Sequence, residues 1–421
     1  MKKFIKRPER DIPVYKKVDV LVAGGGPAGF AAAVTAARNG AKTLLVERWG
    51  FLGGMWTASL VNPLFDVKNK GGLNEEVRSN LQKKNAWGGL NDICFEPSQM
   101  ILELDKIANH ENLEILFYSL ATEPILEGNE VKGCVLETKS GAMAVLADIV
   151  IDCTGDGDIA ARAGADFHLG RPSDGLTQPM TMLFRIGGVN VDYPKDNIIM
   201  WYKELCERVP ETELIKHVPY DYPAIIRLPG RDEAIIQWAH MRNYSALSAK
   251  DLTDATLEGR RQVVKAMEFL GKIEDVVGKV YLLELPPCVG IRETRRILGE
   301  YYLTDEDAEG EAKFKDGICN VNFCIDIHEP DRPTQTVKVH KGFQIPYRSL
   351  IPQKQENLLV AGRCISGSYR AHSAYRVTGD CVSMGEAAGM ASCMALEAGI
   401  APRNVNGEAL VSKLKSNGIN I

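Results

Sequence analysis

The first regular pattern in the chain is an unbroken apolar run, Val18 to Ala23, which reads as a strand buried on both faces. Three glycines follow, and then Pro27 to Asn39 forms a run of small and apolar residues at helical spacing, stopped by Gly40. Lys42 to Glu47 is a second apolar strand, so this segment predicts a parallel strand–helix–strand unit. Helical patterns recur at about Leu73 to Lys84 and Pro97 to Asn109, the second with Met100, Ile101, Leu104, Ile107 and Ala108 in helical register. From Glu114 to Thr154 the pattern becomes short strands parted by the turn signals EGNE and KSGA. DIVIDCTGDGDIAARAGA then repeats strand, glycine turn and helix. Between Phe167 and His340 proline, tryptophan and tyrosine become commoner around a helix near Ala255 to Leu270 and strand-like pieces AIIQWAH and GKVYLLEL. ENLLVAGRCISG and the small-residue helix of GDCVSMGEAAGMASCMALEAG return to the first pattern. The prediction is an α/β chain: a discontinuous Rossmann-like domain, residues 1–166 and 341–421, with an inserted α+β substrate or cap domain, 167–340.

Composition narrows the function classes. A length of 421 residues exceeds what one core usually fills, and 45% apolar with 25% charged residues gives no sign of disorder. A formal net charge of -5 without a long basic run excludes nucleic acid as the expected partner. No run reaches the length of a membrane span, and the basic start KKFIKRP leads into no apolar signal segment, so a cytoplasmic location is expected. The ten cysteines include no C-x-x-C pair, and the nearest two, Cys319 and Cys324, suit zinc poorly, so reduced thiols and no metal are expected.

Gly24, Gly26 and Gly29 make a G-x-G-x-x-G turn between strand and helix, with Glu47 closing the next strand. Such a turn lets a pyrophosphate approach the helix N-terminus, while the acid suits an unphosphorylated ribose, as in FAD or NAD. A second glycine pair, Gly53-Gly54, and two further glycine turns, at DCTGDGD and LLVAGR, favour the longer FAD.

DVLVAGGGPAGFAAA, ERWGFLGG, DCTGDGDIAARAGA, GLTQPMTMLFRIGGV, GIRETRRI and NLLVAGRCISG, in this order from Val18 to about Leu396, resemble the bacterial FAD-dependent oxidoreductase family of the glutathione-reductase-like fold. The resemblance implies FAD bound extended, with the adenosine end near Gly24, Gly26, Gly29 and Glu47 and the flavin ring near the interface of the two domains. It carries over Arg48, Gly53, Gly54, Thr154, Gly155, Asp156, Gly362 and Arg363. Pro27, Ala28, Met55, Trp56, Ala121, Thr378, Gly379 and Asp380 complete the expected cofactor contacts. Disulfide reduction is not expected, because no cysteine precedes Cys94.

For chemistry, His372 is the first candidate, since SYRAHSAYRVTGD lies between two segments expected to touch FAD. It would move a proton, with Tyr375 and Arg376 beside it. Arg292, in GIRETRRILGEYYLT, would hold an anionic group; on a helix Arg292, Arg295 and Arg296 would share a side. The methionines of TQPMTMLFRIGG read as core filler, and His110, His168, His217, His240, His328 and His340 as surface or satisfied core. The expected function is hydride exchange between flavin N5 and a small polar or anionic organic molecule, by dehydrogenation or reduction of an activated double bond. The alternatives are an FAD subunit relaying electrons to a protein partner and an NAD-only dehydrogenase. A small-molecule substrate, an electron donor or acceptor and a homo-oligomer are the partners considered.

Overall fold

A computed structural model describes residues 5, 9–89, 92–190 and 223–421; Cys206 and His217 lie outside them. A seven-stranded sheet organises the first core. Its strands are β1 (Val14–Ala23), β2 (Thr43–Val46), β3 (Leu113–Leu116), β4 (Ser119–Glu127), β5 (Glu130–Thr138), β6 (Gly141–Asp152) and β7 (Leu358–Val360). The order is β3-β2-β1-β6-β5-β4, with β7 also on β6. β3, β2, β1, β6 and β7 run parallel, whereas β4 and β5 form an antiparallel ribbon. β6 forks: Gly141 to Leu146 pair with β5, and Val150 to Asp152 with β7. Parallel strands buried on both faces need helices above and below them, and the continuous apolar runs of β1 and β2 supply the matching surface.

Helix α1 (Pro27–Arg38) packs on that sheet and against the long helix α2 (Thr378–Ala398). Their contact is close because both are built from small residues. A Cβ on Gly385 would lie 2.1 Å from the Ala28 carbonyl oxygen, and one on Gly389 2.4 Å from that of Ala32. The price of these glycines, roughly 1 kcal/mol each against alanine in a helix, is offset by that approach.

The second core is a four-stranded antiparallel sheet that includes β8 (Met180–Gly187), β9 (Ala224–Arg227), β10 (Glu233–Met241) and β11 (Tyr281–Glu284), backed by helix α3 (Ala249–Gly271). Met180, Met182, Phe184, Ile236 and Trp238 pack towards α3, as core filler. This core draws on residues from Met180 to Ile291, while Ile297, Leu303, Ile318, Val321, Ile325 and Phe343 belong to the first.

The arginine run differs from a helix. Arg295–Ile297 is a short strand paired antiparallel with Phe167–Leu169. Extended backbone sends neighbouring side chains to opposite faces. Arg296 is therefore buried against Glu293 and the carbonyl of Gly170, while Arg295 meets Asp158 at 3.0 Å. The ladder to Phe167–Leu169 supplies the hydrogen bonds a helix would have made. No helix among the described residues is long and apolar enough to cross a membrane, and no cluster of metal-ligating side chains occurs among them.

Candidate functional site

A cavity of about 870 Å³ is lined by residues of both cores. At one end it meets the C-terminal ends of the parallel strands, where ligands of open α/β sheets bind. Of the residues expected to contact the cofactor, Gly24, Gly26, Pro27, Ala28, Glu47, Arg48, Gly54, Met55, Ala121, Thr154, Gly155, Asp156, Gly362, Arg363 and Thr378 line it. The three glycines of the first turn have different duties. Gly24, at φ +100°, could carry no Cβ without coming within 2.5 Å of the Cys153 carbonyl oxygen. On Gly29 a Cβ would lie 1.7 Å from the Gly24 carbonyl oxygen, so this residue lets helix and strand pack. Around Gly26 nothing lies nearer than 3.9 Å, and α1 starts there with no side-chain cap and a proline in its first turn. That leaves uncapped backbone N–H groups, a site ready for a phosphate.

Glu47 is buried and accepts hydrogen bonds from the backbone N–H of Gly25 (2.6 Å) and Trp49 (2.9 Å). Burial pushes its pKa up and these two donors hold it down. A carboxylate has about four lone-pair sites, so two remain for a diol. Arg363 is pinned to Asp156 at 2.5 Å, and its buried Nε has no hydrogen-bond partner. An orphaned guanidinium N–H beside bare helix N–H groups fits a phosphate-bearing dinucleotide such as FAD.

Gly29, Gly53, Trp56, Gly379 and Asp380 do not line this cavity. Gly53 caps the short turn Gly54–Trp56 that presents Gly54 and Met55. Trp56 packs edge-on against Phe95 at 6.1 Å. Gly379 lies against the carbonyls of Phe65 and Asp66. Asp380 is fully buried with its Oδ1 2.5 Å from Lys70 Nζ, and Lys70 also meets Asp66 at 3.0 Å.

At the other end of the cavity the expected group is divided. Arg292 and Arg376 line it; His372 and Tyr375 do not. Both belong to the helix Tyr369–Tyr375 and are fully buried. Neither ring nitrogen of His372 has a hydrogen-bond partner, and burial, with Arg296 and Arg376 near, holds its pKa well below 6.5. The Tyr375 hydroxyl donates to the Ile365 carbonyl at 3.0 Å. The helix turns these two inward because its opposite side, at Arg370, carries the exposed ion pair to Glu309.

Sequence reading passed over His328 and Asp326, which take their place on the cavity. They alternate along the strand Ile325–His328 and so face the same way, a D-x-H spacing that could have flagged them. His328 Nε2 lies 3.4 Å from Asp326 Oδ2. Arg376 Nη2 donates to the Asp326 carbonyl (2.8 Å) and to Gln178 Oε1 (3.3 Å), and lies 3.4 Å from Asp326 Oδ2. Arg292 donates to the Pro179 carbonyl (2.7 Å), Thr181 and His240 Nε2 (3.1 Å). Thr181 and His240 are ladder partners in β8 and β10, which no local pattern announces. His240 stacks on His328 with ring centres 5.4 Å apart. Burial and then the Arg292 charge depress both histidines, His328 to about 4, so both are neutral at pH 7. Burial works against ionisation of Asp326, but His328 and Arg376 beside it hold its pKa well below the usual carboxylate range.

Residues 19–414 match the family described as FAD dependent oxidoreductase. The dihydrolipoyl dehydrogenase of Trypanosoma brucei brucei is 30% identical over 100 residues, covering 24% of this chain and 21% of that enzyme. Over 149 residues the thiamine thiazole synthase of Methanococcus vannielii is 30% identical, covering 33% of this chain and 56% of its own. The matches thus span a fifth to a little over half of these curated relatives. Among solved structures, a geranylgeranyl bacteriochlorophyll reductase-like protein of Thermoplasma acidophilum aligns with a TM-score of 0.50 at 15% identity, covering 95% of this chain and 83% of that one. A triple mutant of the flavin-dependent brominase Bmp2 aligns with a TM-score of 0.52 at 11% identity, covering 95% and 84%. At such identities the likeness is one of fold.

Proposed function

The chain belongs to the FAD-dependent oxidoreductase family, and from that premise we propose that it exchanges a hydride between the flavin and a carbon of a small anionic organic substrate. It is an enzyme and FAD is its cofactor. The observation that carries the reading is the continuity of one cavity from the dinucleotide cradle to a cluster of Arg292, Arg376, Asp326 and His328. Gly26, Glu47, Arg48, Gly155 and Arg363 would hold the dinucleotide, and Met55, Val377 and Thr378 would border the flavin end. When bound, FAD supplies the site that takes up or gives back the hydride.

The protein's own groups do the rest. Arg292 and Arg376 bind the substrate's anionic oxygens and fix its orientation; Gln178 and Asp326 keep Arg376 in position, and His240 does so for Arg292. Asp326, with Oδ2 3.4 Å from His328 Nε2, orients the imidazole. In the oxidising direction the hydroxyl or amine proton of the substrate passes to the His328 imidazole as the carbon loses its hydride, and the reverse step returns both. A pKa near 4 makes a weak base, but an anion on Arg292 and Arg376 offsets the positive field that contributes to that depression.

The test is anaerobic bleaching of the flavin absorbance by a panel of hydroxy, amino and unsaturated acids. At least one should bleach it, with Arg292→Met and His328→Gln each slowing the step about 100-fold or more. Bleaching by no member of the panel, with dithionite-reduced protein reoxidised only by a protein partner, would support the relay reading instead.

A further inference from the structure

A second cavity, of about 450 Å³, shares no lining residue with the first. Its size lies within the usual range of small-molecule sites, about 300–1,000 Å³. Three parts of the chain build it: the loop Asp66 to Lys70, the stretch from Lys313 through the strand Gly317–Val321 to Asn322, and Asn420. Gly71 bridges to Ile419, and the Asn420 N–H donates to the Lys70 carbonyl at 2.8 Å, which sets Asn420 against the loop. Among the described residues every side chain lining this cavity is polar: lysine, asparagine or aspartate. Its deep part is self-sufficient. Lys70 is buried and places its three donors on Asp66 (3.0 Å), Asp380 and the Asn320 carbonyl, while Asp66 also accepts from the Asn322 backbone N–H at 2.7 Å. Its rim is not. Lys68 is exposed and has no hydrogen bond or ion pair among the described residues, and Lys313 meets only the Asn320 side-chain oxygen, at 3.5 Å. The side-chain amides of Asn69 and Asn420 likewise have no partner among the described residues.

We infer that this cavity is a binding site, separate from the flavin chamber, for a small phosphate ester with a hydroxylated body. The phosphoryl oxygens would take the Lys68 and Lys313 ammonium groups, which act on phosphate as point charges with rotatable donors. The hydroxyls would meet the Asn69 and Asn420 amides, each able to donate and to accept. With no aliphatic or aromatic side chain in the described lining, an apolar ligand gains little there. A metal ion would meet two unpaired ammonium groups at the rim.

The test is calorimetric titration of the FAD-loaded protein, in which the dinucleotide cradle is filled and cannot take up phosphate. The probes are inositol monophosphate, glycerol phosphate, inorganic phosphate, inositol and calcium chloride. Inositol monophosphate should bind at least tenfold tighter than inositol and at least threefold tighter than inorganic phosphate. Its affinity should fall severalfold as ionic strength rises past about 0.1 M, because the lysines are exposed. Lys68→Gln/Lys313→Gln should weaken it at least tenfold and flatten that salt dependence, with Lys68→Arg/Lys313→Arg keeping most of the affinity. Neither double variant should change the melting temperature of the ligand-free holoenzyme or its bleaching by substrate. Arg292→Met, in the other cavity, should leave the titration unchanged. Equal binding of inositol and its phosphate overturns the proposal, as does tighter binding of calcium, an unaltered affinity in the Gln variant, or a loss in Arg292→Met as large as in that variant. Since no hydride moves in these titrations, they read the same whether or not the bleaching test succeeds.

Discussion

At the end of the cavity proposed for the dinucleotide the lining comes from glycine turns at the ends of neighbouring strands of one sheet. At the Arg292 end they come from long polar side chains on β8, β10, the strand Ile325–His328, the Arg292 segment and the end of the helix Tyr369–Tyr375. A backbone cradle is specified wherever the chain must turn tightly and let a ligand approach. A side-chain cluster is specified only by which elements the fold brings together. The first leaves no room for an added atom at Gly24 or Gly29, whereas the second depends on each group being neutralised or held by its neighbours.

The largest expected effect lies beside the boundary of these regions, where Asp380 stands at the start of α2. Lys70→Met strands a fully buried carboxylate and should cost about 3–5 kcal/mol in denaturant unfolding, with Lys70→Met/Asp380→Leu recovering much of it. Full recovery of FAD by the double variant would set Asp380 apart from the cofactor contacts.

Two alanines separate packing from ligand approach within the cradle. Gly29→Ala forces a Cβ onto backbone and should lower stability by about 3 kcal/mol, with loss of bound FAD. Gly26→Ala has room in the protein and should leave the unfolding of FAD-free protein within about 0.5 kcal/mol while weakening FAD binding, read by flavin fluorescence on titration. Equal loss of stability in both would merge the two duties.

At the polar end, pH is the probe. His328 has a folded pKa near 4 against about 6.5 unfolded, so the unfolded chain binds more protons between these values. Its contribution is whole above about pH 6.5 and falls away as pH drops towards 4, by up to about 3 kcal/mol. Melting temperatures across that window should fall with pH, and His328→Gln should flatten the fall; His240, depressed in the same direction, leaves a residual slope. An unchanged slope in the variant would remove His328 from the account.

The smallest effect is expected at His372. His372→Leu exchanges a buried ring without hydrogen bonds for an apolar side chain of similar bulk, so stability should change by less than about 1 kcal/mol and substrate-driven bleaching by less than about twofold. A hundredfold loss would return this histidine to the chemistry.

The parallel sheet, the helix of small residues and the glycine turns were legible because each is written in a continuous stretch. The runs Val18 to Ala23 and Lys42 to Glu47 are strands for the same reason that they are apolar throughout. GIRETRRI was not legible: its charge spacing suits a helix, yet Arg295–Ile297 takes the ladder offered by Phe167–Leu169, a partner more than a hundred residues away. His372 misled in a related way. Its neighbours in sequence do reach the cavity, but on a short helix the direction of one side chain changes by about 100° per residue. Arg376, just past the end of that helix, reaches the cavity, whereas His372 within it faces the core.

By itself, then, the sequence determined the glycine turns proposed as the dinucleotide cradle, since a glycine turn after a buried strand and an acid at the next strand's end act through local backbone geometry. Only the tertiary structure decided which polar side chains share the cavity with it. Thr181 and His240 meet through a ladder between strands distant in the chain, Arg292, Asp326 and His328 reach them from other segments, and the charge states follow from burial and from one another, quantities that no stretch of residues carries alone.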